Sequence, residues 1–352
     1  MKVCLIGLPG VGKTTIFSAL TSVDMGKHHL QEKRKTVPVK DERLENIARI
    51  YNSNRVVPVV LEILDVEVRE EGFIPKAIPP NVDALIVVVR AFEDPAFPLP
   101  QHLVDPLKQF RSVLDELILR DLVVCESRLE KLEKSRGSLS NVEQQEHRIL
   151  HKLREVLSAG TPLFTIEKEL LESERKIISS FSFLSIRPMI VVLNLDEEKF
   201  RQRSYPGKDG FQEFLKDLGV AYVEICGKFE QELTELPSEE QQDFLEDLGV
   251  SEPSIVRMVE AIYRHMGLIT FFTADRKETR ARTLRSGETV LRAAEKVHSD
   301  MARGFIRAEI IKYEDLIEYG SDRALREKGL IHVVGKEYLV QDGDIVRIKF
   351  NV

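Results

Sequence analysis

Apolar positions along this chain keep two rhythms, and the alternation between them predicts most of the elements. Val3 to Ile6 is a continuous apolar run of buried-strand length, and "TTIFSAL" downstream of it takes up helical spacing. "VVPVVLEILDVE" (56–67) and "NVDALIVVVRAF" (81–92) predict strands, the second so evenly apolar that both its faces are expected to be buried. Before them, the polar stretch after Leu20 has no period and predicts a loop, whereas "DERLENIARIY" has helical spacing with Asp41 as its N-cap. From Asp105 the rhythm becomes purely helical. Leu114, Leu117, Ile118, Val124, Leu129 and Leu132 predict one apolar stripe, and "NVEQQEHRILHKLREVLSAG" (141–160) predicts a second helix. The two predict an antiparallel hairpin packed on itself, with a partner surface as the alternative.

Strand rhythm returns at "PMIVVLNLDEE" (188–198), then a helix at 210–218, a strand "AYVEIC" and a helix "PSIVRMVEAIYRHMG" (253–267). Strands alternating with helices predict a doubly wound, mostly parallel α/β sheet, with ligands at the strand C-terminal ends. The hairpin interrupts it as an insertion. Beyond Gly267 come short strands and turns, "LITFFTA", "GFIRAEII" and "LIHVVGKEYLVQDGDIVRIKFNV", which predict a separate α+β domain; "QDGD" reads as a hairpin turn. The expected division is 1–104 with 182–267, an insertion at 105–181, and a C-terminal domain at 268–352.

Candidate chemistry enters at "GLPGVGKTT". Gly7, Gly12, Lys13 and Thr14 match G-x-x-x-x-G-K-[ST], a phosphate-binding loop between a strand and a helix expected to start near Val11. Glycines let backbone amides close on a polyphosphate; Lys13 is placed for its β/γ-phosphates and the Thr14 hydroxyl for Mg2+. A magnesium-binding carboxylate is then expected at the end of a nearby strand, and Asp65 fits. "NLDE" (194–197) closes the next core strand, where Asn194 is placed to tie its loop to the phosphate loop. "CGKF" (226–229) follows the last strand, where Lys228 is placed to lie along a base.

Composition changes this picture little. The chain has 352 residues, 43% of them hydrophobic and 31% charged, which allows two or three domains with ample core. No apolar run approaches a membrane span, and an N-terminus opening on a strand leaves no room for a signal peptide, so a cytoplasmic protein with no membrane partner is expected. Cys4, Cys125 and Cys226 are expected to be reduced thiols without a metal role. A net charge of −7 excludes a nucleic-acid-coating protein but leaves room for a local basic patch: Arg276, Lys277, Arg280, Arg282, Arg285 and Arg292. His28-His29 lie in a polar loop and His147/His151 on a charged helix, and both pairs read as surface residues.

Taken together these residues resemble the YchF/Obg-like ATPases of the Obg branch of P-loop GTPases. "VDPLKQFRSVLDELILRDLVVCESRLEKLEK" is similar to that family's helical insertion, and "LNLDEE" to its N-x-x-E base motif, which goes with ATP being accepted in place of GTP. "GLITFFTADRKETRARTLRSGET" and "HSDMARGFIRAEIIKYEDL" onward are similar to its C-terminal TGS-type β-grasp domain. The resemblance implies nucleotide contacts from Gly10, Val11, Gly12, Lys13, Thr14 and Thr15, and base contacts from Asn194, Leu195, Glu197 and Lys228. It also implies Mg2+ at Thr14 and Asp65, and a ribosome or ribosomal RNA as partner of the C-terminal domain and insertion. The sequence departs from the pattern in the switches. Gly10 replaces an Asn, T-I-E-P-N is absent between Leu20 and Val37, and Asp65-Val66-Glu67-Val68 replaces D-x-x-G. A divergent paralogue with shortened switches and slow hydrolysis is therefore expected, the alternative being a non-hydrolysing nucleotide sensor or scaffold.

Overall fold

Along the chain, β1 (Lys2–Ile6) leads into α1 (Lys13–Ala19), β2 (Arg34–Pro38), α2 (Glu42–Tyr51), β3 (Val56–Val57), β4 (Val60–Asp65) and β5 (Ala84–Arg90). The helices α3 (Pro106–Lys134), α4 (Asn141–Ser158) and α5 (Glu172–Ile178) then precede β6 (Met189–Asn194). Next come α6 (Glu197–Gln202), α7 (Lys208–Leu218), β7 (Ala221–Ile225), α8 (Gly227–Glu235), α9 (Ser238–Asp247) and α10 (Ser254–His265). The C-terminal part holds β8 (Leu268–Ala274), β9 (Thr279–Arg285), α11 (Val290–Val297), α12 (Ser299–Arg303) and β10 (Phe305–Ile311). It ends with α13 (Tyr313–Tyr319), α14 (Asp322–Lys328), β11 (His332–Val334) and β12 (Ile345–Phe350). This computed structural model describes residues 1–20, 34–66, 78–134, 139–247 and 249–351. The expected loop after Leu20, with His28-His29, and the run from Glu67 to Ala77 lie outside the described residues.

The chain divides into two compact units, Met1–Thr36 with Glu62–Ala261, and Val37–Leu61 with Ile262–Val352. The first sheet has the strand order β2-β4-β1-β5-β6-β7, and β1 runs parallel to both β4 and β5, as do β6 to β5 and β7 to β6. This is the doubly wound α/β arrangement. Every residue of β5 and β6 is buried, as their unbroken apolar runs predict; burying each such Val, Ile or Leu side chain contributes about 1.5–3 kcal/mol. In the second unit the order is β11-β10-β12-β8-β9-β3, over a core that includes Phe271, Leu284, Val290, Ala308 and Val346.

Several local expectations change. The run 56–67 is two strands rather than one, since Pro58 has no N–H to offer a ladder, and β3 pairs with β9 in the second sheet. Asp41 caps α2 as expected, accepting from Arg43 N. The "QDGD" turn is real, with Gly343 at φ +90°, but it closes no hairpin. Upstream of it Leu339 makes only an isolated bridge with Thr289, while β12 pairs antiparallel with β10 and parallel with β8. On α3 the buried stripe runs through Asp121 and Cys125, leaving Val124 39% exposed. Positions 114, 117/118, 121, 125, 129 and 132 keep three/four spacing, and position 124 falls off it.

Candidate functional site

Strand β1 ends where the winding of the sheet reverses, with β4 on one side and β5 on the other. A crevice opens at such a point, outside the strand C-termini. The glycine-rich loop begins there. A Cβ on Gly7 (φ +142°) would stand 2.3 Å from the Val88 carbonyl oxygen, and one on Gly12 (φ +91°) only 2.2 Å from Asn194 Nδ2. Because Gly12 is left-handed it cannot belong to the helix, so α1 starts at Lys13, two residues after the expected position.

Inside the loop, Lys13 Nζ donates to the carbonyl oxygens of Gly7 and Leu8, each at 2.7 Å. Burial draws its pKa down to about 8, against the upward pull of the nearby Asp65 carboxylate. Asp65 itself is buried at the end of β4, in register with Leu5. Its charge, after burial, helps push the Cys4 thiol up to about 12.

A cleft of about 850 Å3 lies over this loop, and the phosphate-loop residues Gly10, Gly12, Lys13, Thr14 and Thr15 form part of its lining. Across from them it is lined by Asn194, Leu195, Glu197 and Lys228, so the structure brings these segments of the sequence together. Val11 and Asp65 do not line it. Val11 is fully buried and contributes its carbonyl, which accepts from Asn194 Nδ2 at 3.0 Å. Asn194 Oδ1 in turn accepts from Gly227 N at 2.9 Å, so one side chain joins the end of β6, the glycine loop and the start of α8. Leu195 is 2% exposed and its amide donates to Ile225 O. Glu197 opens α6 and is turned toward Arg201, at 3.1 Å, which also holds Asp247 at 2.6 Å. Lys228 stands on the first turn of α8, 84% exposed, 3.7 Å from Glu232.

Sequence reasoning missed Arg90. Closing β5, it is 2% exposed and donates from Nη1 to Gly10 O and from Nη2 to Phe97 O, both at 2.7 Å, while its guanidinium stacks on Phe92. Burial lowers its pKa. Gln109 on α3 holds Arg90 in place by accepting from its backbone N–H at 2.9 Å and donating to its carbonyl at 2.7 Å. The one available signal was a charged residue ending an otherwise apolar strand. Phe92, Asp94 and Phe97 thereby become part of the cleft wall.

The hard oxygens of Thr14 and Asp65 suit a magnesium ion by donor type. Thr14 is exposed in the cleft and Asp65 is buried beneath the loop.

Comparison with known proteins fits this geometry. The family model YchF-GTPase_C, described as a protein of unknown function (DUF933), matches residues 268–351. A "Ribosome-binding ATPase YchF" of Haemophilus ducreyi is 34% identical, over 100% of this chain and 99% of the relative. The protein of the same name from Bacillus subtilis is 33% identical, over 99% of this chain and 98% of that one. Among solved structures, the Schizosaccharomyces pombe YchF GTPase superposes with a TM-score of 0.84 at 26% identity, covering 99% of this chain and 97% of that one. A GTP-binding protein from Pyrococcus horikoshii OT3, at 18% identity and a TM-score of 0.64 over 100% of both chains, shares the fold. Among the described residues no helix is long and apolar enough to cross a membrane. With identity at this level over both full lengths, the chain belongs to the YchF family of Obg-related P-loop GTPases.

Proposed function

We propose that this is a cytoplasmic, Mg2+-dependent nucleotide-binding protein that binds ATP at least as tightly as GTP, hydrolyses it slowly, and works on the ribosome. The observation that carries the reading is the cleft itself. Its volume suits a nucleotide, and the Lys13 loop and the Asn194–Glu197 segment both line it. In this reading residues 1–104 and 182–267 form the nucleotide-binding domain, 105–181 the helical insertion and 268–352 a TGS-like domain. Gly10 to Thr15 hold the phosphates, and Asn194, Leu195, Glu197 and Lys228 form the base end. Thr14 and Asp65 hold Mg2+, which when bound neutralises phosphate charge. Slow turnover follows from the sequence Asp65-Val66-Glu67-Val68, which lacks the glycine of D-x-x-G and marks the chain as a divergent member with shortened switches. The relatives' name, ribosome-binding ATPase, supports the partner and the nucleotide.

The geometry around Glu197 supports ATP. Guanine presents two donors, N1–H and N2–H2, that need a carboxylate. The Glu197 carboxylate is engaged with Arg201, and Asp196 caps α6 by accepting from Lys199 N at 2.8 Å. Each guanine donor left unpaired costs about 1–3 kcal/mol, whereas adenine has one amino donor and no N1–H. Titration with both nucleotides and Mg2+, followed by multiple-turnover phosphate release, tests the proposal. ATP is expected to bind at least as tightly as GTP, and Glu197→Asp to restore GTP only in part. Turnover is expected at about 10⁻³ per second or below. A GTP preference of about a hundredfold, or brisk unassisted turnover, would overturn it.

For the ribosome, the second unit refines the basic patch. Arg280 is engaged with Glu278 at 2.8 Å, Arg292 with Glu295, and Arg282 is half-buried, which lowers its pKa. Arg292 is exposed as well as paired, and Arg276, Lys277 and Arg285 are three further exposed cations of that stretch. Reversing these three to Glu is expected to weaken co-sedimentation with ribosomes and to flatten its salt dependence, since each phosphate contact adds about 0.7–0.9 to the logarithmic slope. Unchanged co-sedimentation would remove this face from the interaction.

A further inference from the structure

Far along the helical hairpin, two histidines and a glutamate converge. Glu133 lies in the last turn of α3, and His147 and His151 lie one turn apart on α4, with the ligating atoms of all three within 4.8 Å of one another. The two Nε2 atoms are 3.2 Å apart, and His151 Nε2 is 4.0 Å from a Glu133 carboxylate oxygen. We propose that this cluster is a binding site for a late first-row divalent cation of the zinc type, held by His147 Nε2, His151 Nε2 and the Glu133 carboxylate, with water completing the shell.

The distances carry the argument. With zinc–nitrogen bonds of about 2.05 Å, neighbouring ligand atoms of a tetrahedral site stand about 3.3 Å apart. The imidazole nitrogens already have that separation, because residues four apart on a helix share a face and point the same way. The Glu133 side chain is 51% exposed, so it has room to close the gap of about 0.7 Å to His151 and of up to about 1.5 Å to His147. Without metal, one imidazole can donate to the other, the tautomer deciding which.

Ligand type sets the class of cation. Two imidazoles and one carboxylate suit zinc and its neighbours, whereas magnesium prefers a shell of oxygens. The thiols are poor competitors, as Cys4, Cys125 and Cys226 are all buried with raised pKa values. A bound ion would pin the end of α3 to α4. The cluster shares no residue with the cleft lining, so this inference stands apart from the nucleotide reading.

The test uses the full chain, stripped with a chelator and titrated with Zn2+ in excess Mg2+ against a chromophoric chelator. One Zn2+ per chain is expected, together with the visible absorption of a four-coordinate centre when Co2+ replaces it. His147→Ala and His151→Ala should each weaken Zn2+ by at least about tenfold, Glu133→Gln by less. His147→Gln, which keeps a polar side chain on a half-exposed helix face, should lose as much as His147→Ala while melting, metal-free, at the unmodified chain's temperature. Failure of the unmodified chain to retain Zn2+ overturns the proposal. So does unchanged affinity in the double histidine variant, or a loss that follows replacement of His28 and His29 instead.

Discussion

Lys13→Ala is expected to reduce affinity for Mg-ATP by at least about a hundredfold, or about 2.7 kcal/mol. The Lys13 ammonium is held within the glycine loop by two carbonyl oxygens at 2.7 Å. Hydrogen bonds from such a buried cation to a phosphate are charge-assisted, each worth about 1.5–3 kcal/mol, and alanine supplies none. A pH signature accompanies it. In the free protein burial sets the Lys13 pKa at about 8, so the ammonium is largely charged at pH 7 and is lost as pH rises through that value. A phosphate favours the charged form, so binding takes up a proton above pH 8. Affinity should then fall by up to about tenfold per pH unit until the pKa of the complex is reached. Calorimetry at pH 7 and 9 reads this directly. Equal affinity at both values, with Lys13→Ala still binding, would mean that the loop does not use its lysine.

The second large effect is on stability. The Asp121 carboxylate, 2% exposed on α3, accepts from Leu184 N at 2.8 Å, Ser185 N at 2.7 Å and Ser185 Oγ at 2.6 Å. Asp121→Ala leaves two backbone amides and a hydroxyl without their acceptor. At about 1–3 kcal/mol for each stranded amide, the loss should be roughly 2–5 kcal/mol, a large share of the 5–15 kcal/mol typical of a folded domain. Asp121→Asn keeps one acceptor oxygen and should lose less. Urea unfolding measures both; a change below about 0.5 kcal/mol in the alanine variant would show that water replaces the carboxylate there.

What the sequence made legible, and what it hid, divides along the same physical line. Strands β1, β5 and β6 were readable because both faces are buried and their apolar runs are unbroken. The role of Asn194 was readable because its place at a strand end, opposite a glycine loop, fixes what it can reach. Asp121 and Arg90 were not, because each is a buried polar residue whose partner is distant in sequence: Ser185 is 64 residues from Asp121, and Gln109 is 19 from Arg90. A hydrophobic pattern registers such residues only as gaps. Helix α8 was hidden for a related reason. Its N-cap is Cys226, which makes no side-chain cap, and Gly227 N finds its acceptor in Asn194, 33 residues away. The cap is there, but it is written in another segment, so Lys228 read as part of a loop.

The grip of Gln109 on the Arg90 backbone has a consequence for how this protein can be taken apart. An amide side chain that both donates to and accepts from one residue does the work of a neighbouring strand at the end of β5, beyond its last pairing with β1 at Val87. The helical segment is a separate paragraph in the sequence, yet two of its residues, Gln109 and Asp121, complete valences of the sheet's own connections on either side of it. Splicing out 105–181 would therefore strand the Arg90 amide and carbonyl at the near junction and the Leu184 and Ser185 amides at the far one. An edit that looks clean on paper would open the very strand end that steadies Gly10. Modularity here is a property of the chain's text and not of its energetics; a transplant or deletion has to carry new acceptors for the three amides and a new donor for the Arg90 carbonyl.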